Sequence, residues 1–173
     1  GVDNDTQGFR DNFTIIKAGL AVANSEVTVL QTNTAKLNAS NDFLASDITN
    51  ANFALNTEKY HPIGTVTTGM NISFLSGHYQ SLAINLAEEV ATINFALADW
   101  PARDHVAKMT VQLKGNDTAK TVTFTGAGGG TIKYSADFPA TLTLDSSVNP
   151  ILIDFWTYNQ GTTVYAEYRG QYT

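Results

Sequence analysis

The feature that most constrains this chain is an apolar seam near its N-terminus that repeats every seven residues. The seam positions follow one another at alternating spacings of four and three. They are Phe9, Phe13, Ile16, Leu20, Ala23, Val27, Leu30, Thr34 and Leu37. A repeat of about 3.5 residues drifts off the face of a straight single helix and indicates a left-handed supercoil. The sequence therefore predicts a helix from about residue 6 to residue 37 that pairs with other helices.

The alternative is a single amphipathic helix packed against its own domain. The seam is narrow and its flanks are Asn, Thr, Gln and Ala, whereas a helix on a globular core has a wider apolar face. β-Branched residues such as Val22 and Thr28 also lower the propensity of a solitary helix. We therefore expect a parallel homo-oligomeric coiled coil. Few charges flank the seam (Lys17, Glu26), so its core residues set the pairing, and they leave the number of helices open.

Composition excludes several classes of protein. The chain has no cysteine, which rules out disulfides and thiolate metal sites. Its formal net charge of −6 does not suit a nucleic-acid binder, which needs a surplus of positive charge. A hydrophobic share of 43% argues against full disorder. No apolar run approaches the roughly 20 residues that span a bilayer, so no membrane partner is expected.

Residues 41–64 read as an irregular neck or linker that ends at the break His61-Pro62-Ile63-Gly64. From Val66 onward the apolar period changes to two, with turn signals every 8 to 12 residues. The alternating segments contain Ile72, Leu82, Ile93, Met109, Val122, Ile132, Leu142, Ile151 and Val164. Eight or nine short strands of this kind are typical of an antiparallel sandwich or barrel.

The predicted fold class is therefore α+β, with three regions along the chain. Residues 1–40 form a coiled-coil stem and attachment segment, and residues 41–64 form the neck. Residues 65–173 form a mainly antiparallel β-sandwich head of jelly-roll type.

Two parts of the sequence resemble virion structural proteins of tailed marine cyanophages. The opening segment Val2-Asp3-Asn4-Asp5-Thr6-Gln7-Gly8-Phe9-Arg10-Asp11-Asn12-Phe13 is similar to the motif that leads into their short coiled-coil stems. The C-terminal part resembles the β-sandwich modules of phage fibre-like proteins. The segments that carry this likeness are Ile72-Ser73-Phe74, Thr92-Ile93-Asn94-Phe95, Trp100-Pro101 and Pro150 to Tyr168.

The resemblance implies a non-enzymatic fibre or decoration protein on the exterior of the phage particle. It also implies a homo-oligomer, usually a trimer, that contacts other virion proteins. The chain has no long shaft, which does not suit a long tail fibre. Two alternatives stay open: a receptor-binding adhesin that recognises host cell-surface polysaccharide, and a decoration protein or head fibre of the capsid.

No catalytic constellation, metal site or cofactor site is predicted. The three histidines, His61, His78 and His105, lack the partners of a zinc site or a general base. The glycine run from Gly126 to Gly130 lacks the Lys-Ser/Thr of a phosphate loop and reads as a flexible hairpin. Asp3, Asp5 and Asp11 could attract a cation at a symmetry axis, but capping of the helix start explains them better.

Aromatic residues near the C-terminus are the candidate ligand contacts. Trp156 alternates with Phe155, so one of the two faces the core and the other faces outward. Trp156, Tyr158 and Tyr165 could stack on a host polysaccharide or contact another subunit, because their rings combine apolar faces with polar edges. The subunit or core role is favoured over the ligand role.

Overall fold

The structure, a computed structural model, describes residues 6–33, 57–102 and 105–173. The chain divides into two compact units, Gly1–Phe53 and Ala54–Thr173. The described part of the first unit is one helix, α1 (Thr6–Asn33). The described part of the second unit is rich in strands. A helix followed by a strand-rich region agrees with the predicted α+β class.

The described residues of the second unit form ten strands. They are β1 (Tyr60–Val66), β2 (Asn71–Ser73), β3 (Tyr79–Ile84), β4 (Thr92–Ala98), β5 (Ala107–Lys114), β6 (Lys120–Gly126), β7 (Thr131–Tyr134), β8 (Leu142–Leu144), β9 (Ile151–Thr157) and β10 (Thr163–Gln171). Nine of them, β2 to β10, coincide with the segments of alternating apolar residues.

These strands form a β-solenoid, so the predicted antiparallel jelly-roll sandwich is wrong. The larger sheet has the order β1-β3-β5-β9-β10-β7 and the smaller has the order β2-β4-β6-β8. From β1 to β6 the chain alternates between the two sheets, with β1, β3 and β5 in the larger one and β2, β4 and β6 in the smaller one. Within each sheet, these successive strands pair in parallel. The turns between these strands therefore cross from sheet to sheet, whereas a hairpin turn would reverse the chain within one sheet.

The last three strands, β8 to β10, form antiparallel pairs at the end of the solenoid. Strand β8 pairs antiparallel with β6, and β9 pairs antiparallel with both β5 and β10. Strand β7 lies at the edge of the larger sheet, parallel to β10. The glycine run Gly126–Gly130 joins β6 in one sheet to β7 in the other, so it is a crossover rather than the predicted hairpin.

The hydrophobic core lies between the two sheets. Phe95 and Phe124 come from the smaller sheet and Phe155 from the larger one, and Phe95 and Phe155 are fully buried. The rings of Phe124 and Phe155 meet edge to face across the sheets, with centroids 4.8 Å apart. All the clustered core residues lie between Val66 and Ala166, so the second unit has a core of its own.

The region predicted as a neck contains the first strand. Residues 60–64 belong to β1, which carries a bulge between Pro62 and Gly64. Residues 41–56 lie outside the described residues, as do the seam positions Thr34 and Leu37.

Candidate interaction surfaces

The first candidate surface is the seam of α1, defined as Phe9, Phe13, Ile16, Leu20, Ala23, Val27 and Leu30. Every one of these side chains is exposed in the single chain. Among the large ones the exposed fraction runs from 50% at Val27 to 71% at Phe9. A contiguous apolar stripe of this length on a soluble surface is typical of an interaction site.

Threonine hydroxyls around the seam bond to backbone carbonyls one turn earlier in α1. The hydroxyl of Thr14 donates to the carbonyl of Arg10 at 2.9 Å, and that of Thr32 donates to the carbonyl of Thr28 at 2.8 Å. These bonds satisfy hydroxyls that would otherwise compete for the backbone in other conformations. Asp11, one of the three aspartates near the chain start, accepts a hydrogen bond from Gln7 at 2.8 Å. Asp3 and Asp5 lie outside the described residues.

A second property of α1 is its hydropathy. Over Thr6–Thr32 the helix is long and apolar enough to pass a length-and-composition test for a membrane span. Helices in soluble cores and signal sequences pass the same test. The sequence expectation considered only uninterrupted apolar runs, and Lys17, Asn24 and Glu26 interrupt this one.

The second candidate surface is the aromatic cluster on the outer face of the larger sheet, defined as Trp156, Tyr158 and Tyr165. Trp156 on β9 and Tyr165 on β10 are cross-strand partners. Their rings stack with centroids 4.2 Å apart and an interplanar angle of 13°. Tyr158 stacks more loosely on Tyr165, at 6.0 Å and 24°. Phe155 is fully buried, so Trp156 is the outward-facing member of that pair, as alternation along a strand requires.

Within the aromatic cluster, Tyr158 influences the ionisation of Tyr165. A side-chain hydrogen bond to Tyr158, followed by desolvation, raises the pKa of Tyr165 above its ordinary value. Because each ring covers a face of its neighbour, the cluster is a pre-arranged platform that offers ring edges and outer faces to solvent.

The registers of the larger sheet place a lysine at each side of this platform. Lys108 on β5 is the partner of Trp156, and Lys133 on β7 is the partner of Tyr165. The row that crosses the sheet is therefore Lys108, Trp156, Tyr165, Lys133, and both lysines are exposed. Among the residues that the structure describes, neither lysine forms an ion pair.

The neighbouring row of the same face is acidic and internally paired. The Arg169 Nε atom lies 2.6 Å from Asp154 Oδ2. The hydroxyl of Thr110 donates to the other oxygen of Asp154 at 2.7 Å. The hydrogen bond to Asp154 and, more weakly, the charge of Glu167 raise the pKa of Arg169. This arginine therefore offsets the carboxylates next to the cluster.

An open groove of about 350 Å³ lies along β1, β3 and β5, toward the opposite edge of the same sheet. Its polar lining includes Tyr60, Ser81, Gln112 and Lys114. The hydroxyls of Tyr60 and Ser81 are 2.7 Å apart. Burial, and then the charge of Tyr60, raises the pKa of Tyr79, whose hydroxyl donates to Gln112 at 3.1 Å.

The described residues contain no group of three or more His, Asp or Glu side chains placed to hold a metal ion. His78 packs edge to face on Phe74, with ring centroids 5.3 Å apart. His61 lies in β1. Trp100 follows β4 and packs against the core and Phe74.

Sequence reasoning found the three aromatic residues but missed the two lysines beside them. The lysines are 48 and 32 residues away from Trp156 and Tyr165 in the chain, and only strand pairing brings them into one row. The missing signal was the parallel pairing of β7 with β10. Comparison with known proteins gave no match, since no protein-family model, curated protein or solved structure is significantly similar to this chain.

Proposed function

We propose that this chain is a non-enzymatic structural subunit on the exterior of a tailed-phage virion, and that α1 joins three copies into a short fibre or appendage. The observation that carries the proposal is the exposed seam of α1. The seam has the heptad spacing of a coiled coil, and sister chains provide the matching apolar surface. The cyanophage setting and the number three come from the resemblance of the N-terminal segment to cyanophage stem proteins.

The physical argument for sister chains rests on apolar area. A fully buried Leu, Ile, Val or Phe side chain stabilises by about 1.5 to 3 kcal/mol relative to an exposed one. The seam repeats such residues over the whole length of α1, and its flanks carry few charges. Parallel packing of knobs into holes uses every seam position in each chain. Ordering of α1 and assembly of the subunits are then coupled.

A pair of substitutions on α1 tests this proposal. Leu20→Asp places a charge in the seam, and Val22→Asp makes a similar change two residues away on an outer face. The two side chains are comparably exposed in the single chain, at 66% and 58%. Sedimentation velocity should show dissociation for Leu20→Asp and the wild-type oligomer for Val22→Asp. An unchanged oligomer in the Leu20→Asp protein would contradict the coiled coil.

Location on the particle is tested separately. Gold-labelled antibody against the chain should bind to the outside of intact virions. Label confined to the tail would eliminate the alternative of a capsid decoration protein, and label on the head would support it. Absence of label from purified virions, with the antibody shown to bind the isolated protein, would overturn the virion proposal.

A second candidate function, recognition of host cell-surface polysaccharide, is favoured by the aromatic cluster. Its rings lie on the outer face of the larger sheet, and Tyr158 is 49% exposed. Amphipathic aromatic side chains suit contact with sugar rings, which present apolar C–H faces bordered by hydroxyls. A glycan array probed with the full chain tests this candidate, and silence against host envelope polysaccharides would count against it.

A further inference from the structure

We infer that the row Lys108, Trp156, Tyr165, Lys133 is a binding site for an acidic polysaccharide whose sugar rings carry carboxylates. This inference rests on the second candidate function and names the class of glycan and the residues that bind it. The four residues are successive partners across β5, β9, β10 and β7. Because neighbouring strands are about 4.8 Å apart, the two lysine backbones are separated by roughly 14 Å.

The arrangement of chemistry along the row matches such a polymer. The two central residues offer aromatic edges and outer ring faces, on which sugar C–H groups can pack. The two outer residues offer ammonium groups that no described carboxylate pairs with. A short stretch of polysaccharide lying across the strands would place a sugar over the rings and a carboxylate beside each lysine.

The charge around the row makes this choice of ligand specific. The protein as a whole is acidic, with a formal net charge of −6. An anionic polymer is therefore repelled by most of the surface and favoured only where cations are free. The neighbouring row of this face carries two carboxylates: Asp154, which is bound by Arg169 and Thr110, and Glu167, whose charge acts on the same arginine. The row therefore remains a local cationic strip.

The stacked rings add preorganisation. Trp156 and Tyr165 are already held 4.2 Å apart by their strands and by each other, and the ring of Tyr158 stacks on that of Tyr165 at 6.0 Å. Binding does not have to order these side chains, which lowers the entropic cost of association. In an oligomer the same row occurs once in every subunit, so a long polymer can engage several rows at once and gain avidity.

The test measures binding of the full chain to polygalacturonate, a polymer of carboxylated sugars, and to dextran, a neutral polymer. Affinity electrophoresis should show retardation by polygalacturonate that weakens as salt is added, and little retardation by dextran. The variant Lys108→Gln/Lys133→Gln should bind polygalacturonate about tenfold more weakly, because two ionic contacts are lost. Trp156→Ala should weaken binding by a similar factor.

The matched control is Lys17→Gln/Lys59→Gln, which removes the same charge from α1 and from the residue before β1. It should bind like the wild type. Equal loss in both double variants would mean that only net charge matters, and would overturn the inference.

Dextran binding that is unaffected by the lysine variants would overturn the acidic site while leaving glycan recognition standing. Binding to neither polymer would overturn the inference. If the glycan array also showed no binding, the proposed recognition of host cell-surface polysaccharide would be overturned as well. A lower oligomer mass for Trp156→Ala would assign the cluster to a subunit contact instead.

Discussion

At the scale of single residues, buried polar side chains hold the turns of the solenoid. The described core contains three of them: Gln80, Lys120 and Thr157. Gln80 donates to the carbonyls of Ser73 and Gly77, at 2.6 and 2.9 Å, and so fixes the turn between β2 and β3. Thr157 donates to the carbonyl of Thr163 at 2.8 Å and fixes the turn between β9 and β10. The turn between β2 and β3 crosses between sheets and lacks hairpin hydrogen bonds, so Gln80 replaces them, whereas Thr157 supports a hairpin within the larger sheet.

Lys120 is a buried lysine that forms three hydrogen bonds to one turn. It is 2% exposed, and its ammonium group donates to the carbonyls of Ala87, Glu88 and Val90, at 2.8 to 3.2 Å. Lys120→Met keeps the chain length but leaves three carbonyls without their donor, and should lower the free energy of unfolding by about 3 kcal/mol. Urea unfolding followed by tryptophan fluorescence measures this. Lys108→Met, at an exposed site, should change stability by no more than about 0.5 kcal/mol. Equal urea midpoints for the two variants would show that the three hydrogen bonds of Lys120 do not stabilise the turn between β3 and β4.

Gly161, in the turn after β9, lies close to the side chain of Trp100. Its φ of +80° is in the left-handed region, and an added Cβ would overlap the indole ring of Trp100. Gly128 has a similar φ of +68° but has open space where its Cβ would lie. Both Gly→Ala changes bear the backbone cost of about 1 to 2 kcal/mol, and only Gly161→Ala adds a clash with Trp100. Thermal unfolding should therefore show the lower midpoint for Gly161→Ala. Equal midpoints would contradict the packing described for Trp100.

At the scale of elements, the helix raises the question of what its apolar face contacts. A coiled-coil stem keeps its seam away from lipid, and Lys17 and Glu26 would be costly at the centre of a bilayer. We therefore expect the full chain to stay in the supernatant when it is mixed with phosphatidylcholine–phosphatidylglycerol vesicles and centrifuged. Pelleting with the vesicles, absent from vesicle-free samples, would mean that α1 binds lipid rather than sister helices.

The strands illustrate how far the sequence alone can be taken. Alternation such as Ile93, Phe95, Leu97 predicted β4 and its buried face, because side chains alternate in any strand. The same alternation is found in parallel and antiparallel pairs, so it could not reveal that β4 runs parallel to β6. Turn signals likewise mark a change of direction and do not distinguish a hairpin from a crossover between sheets. The fold class was therefore predictable, whereas the solenoid path was not.

Strand β1 was not predicted from the sequence. Only Val66 of its seven residues is buried, and Pro62 and Gly64 interrupt its pattern. An edge strand with proline and a bulge carries little apolar signal, because one side of its backbone has no neighbour. Sequence analysis placed it in the neck for that reason. Sequence analysis singled out Trp156, Tyr158 and Tyr165 by residue type, but their stacking depends on the pairing of β9 with β10.

At the scale of the whole molecule, the two units differ in what they need to fold. The second unit has a core of its own within the described residues 57–102 and 105–173. In the first unit, α1 exposes every described seam residue in the single chain. A helix of this composition gains most of its stability from packing an apolar face rather than from propensity. We therefore expect the solenoid to fold autonomously and the helix to drive assembly.

The most direct test of that assignment is the mass of the wild-type full chain in solution, measured by sedimentation equilibrium over a range of concentrations. The account predicts a species of three times the 18.6 kDa chain mass, and dissociation only at the lowest concentrations. A mass of one chain at every concentration would contradict the coiled coil, and with it the claim that the seam of α1 holds the subunits together.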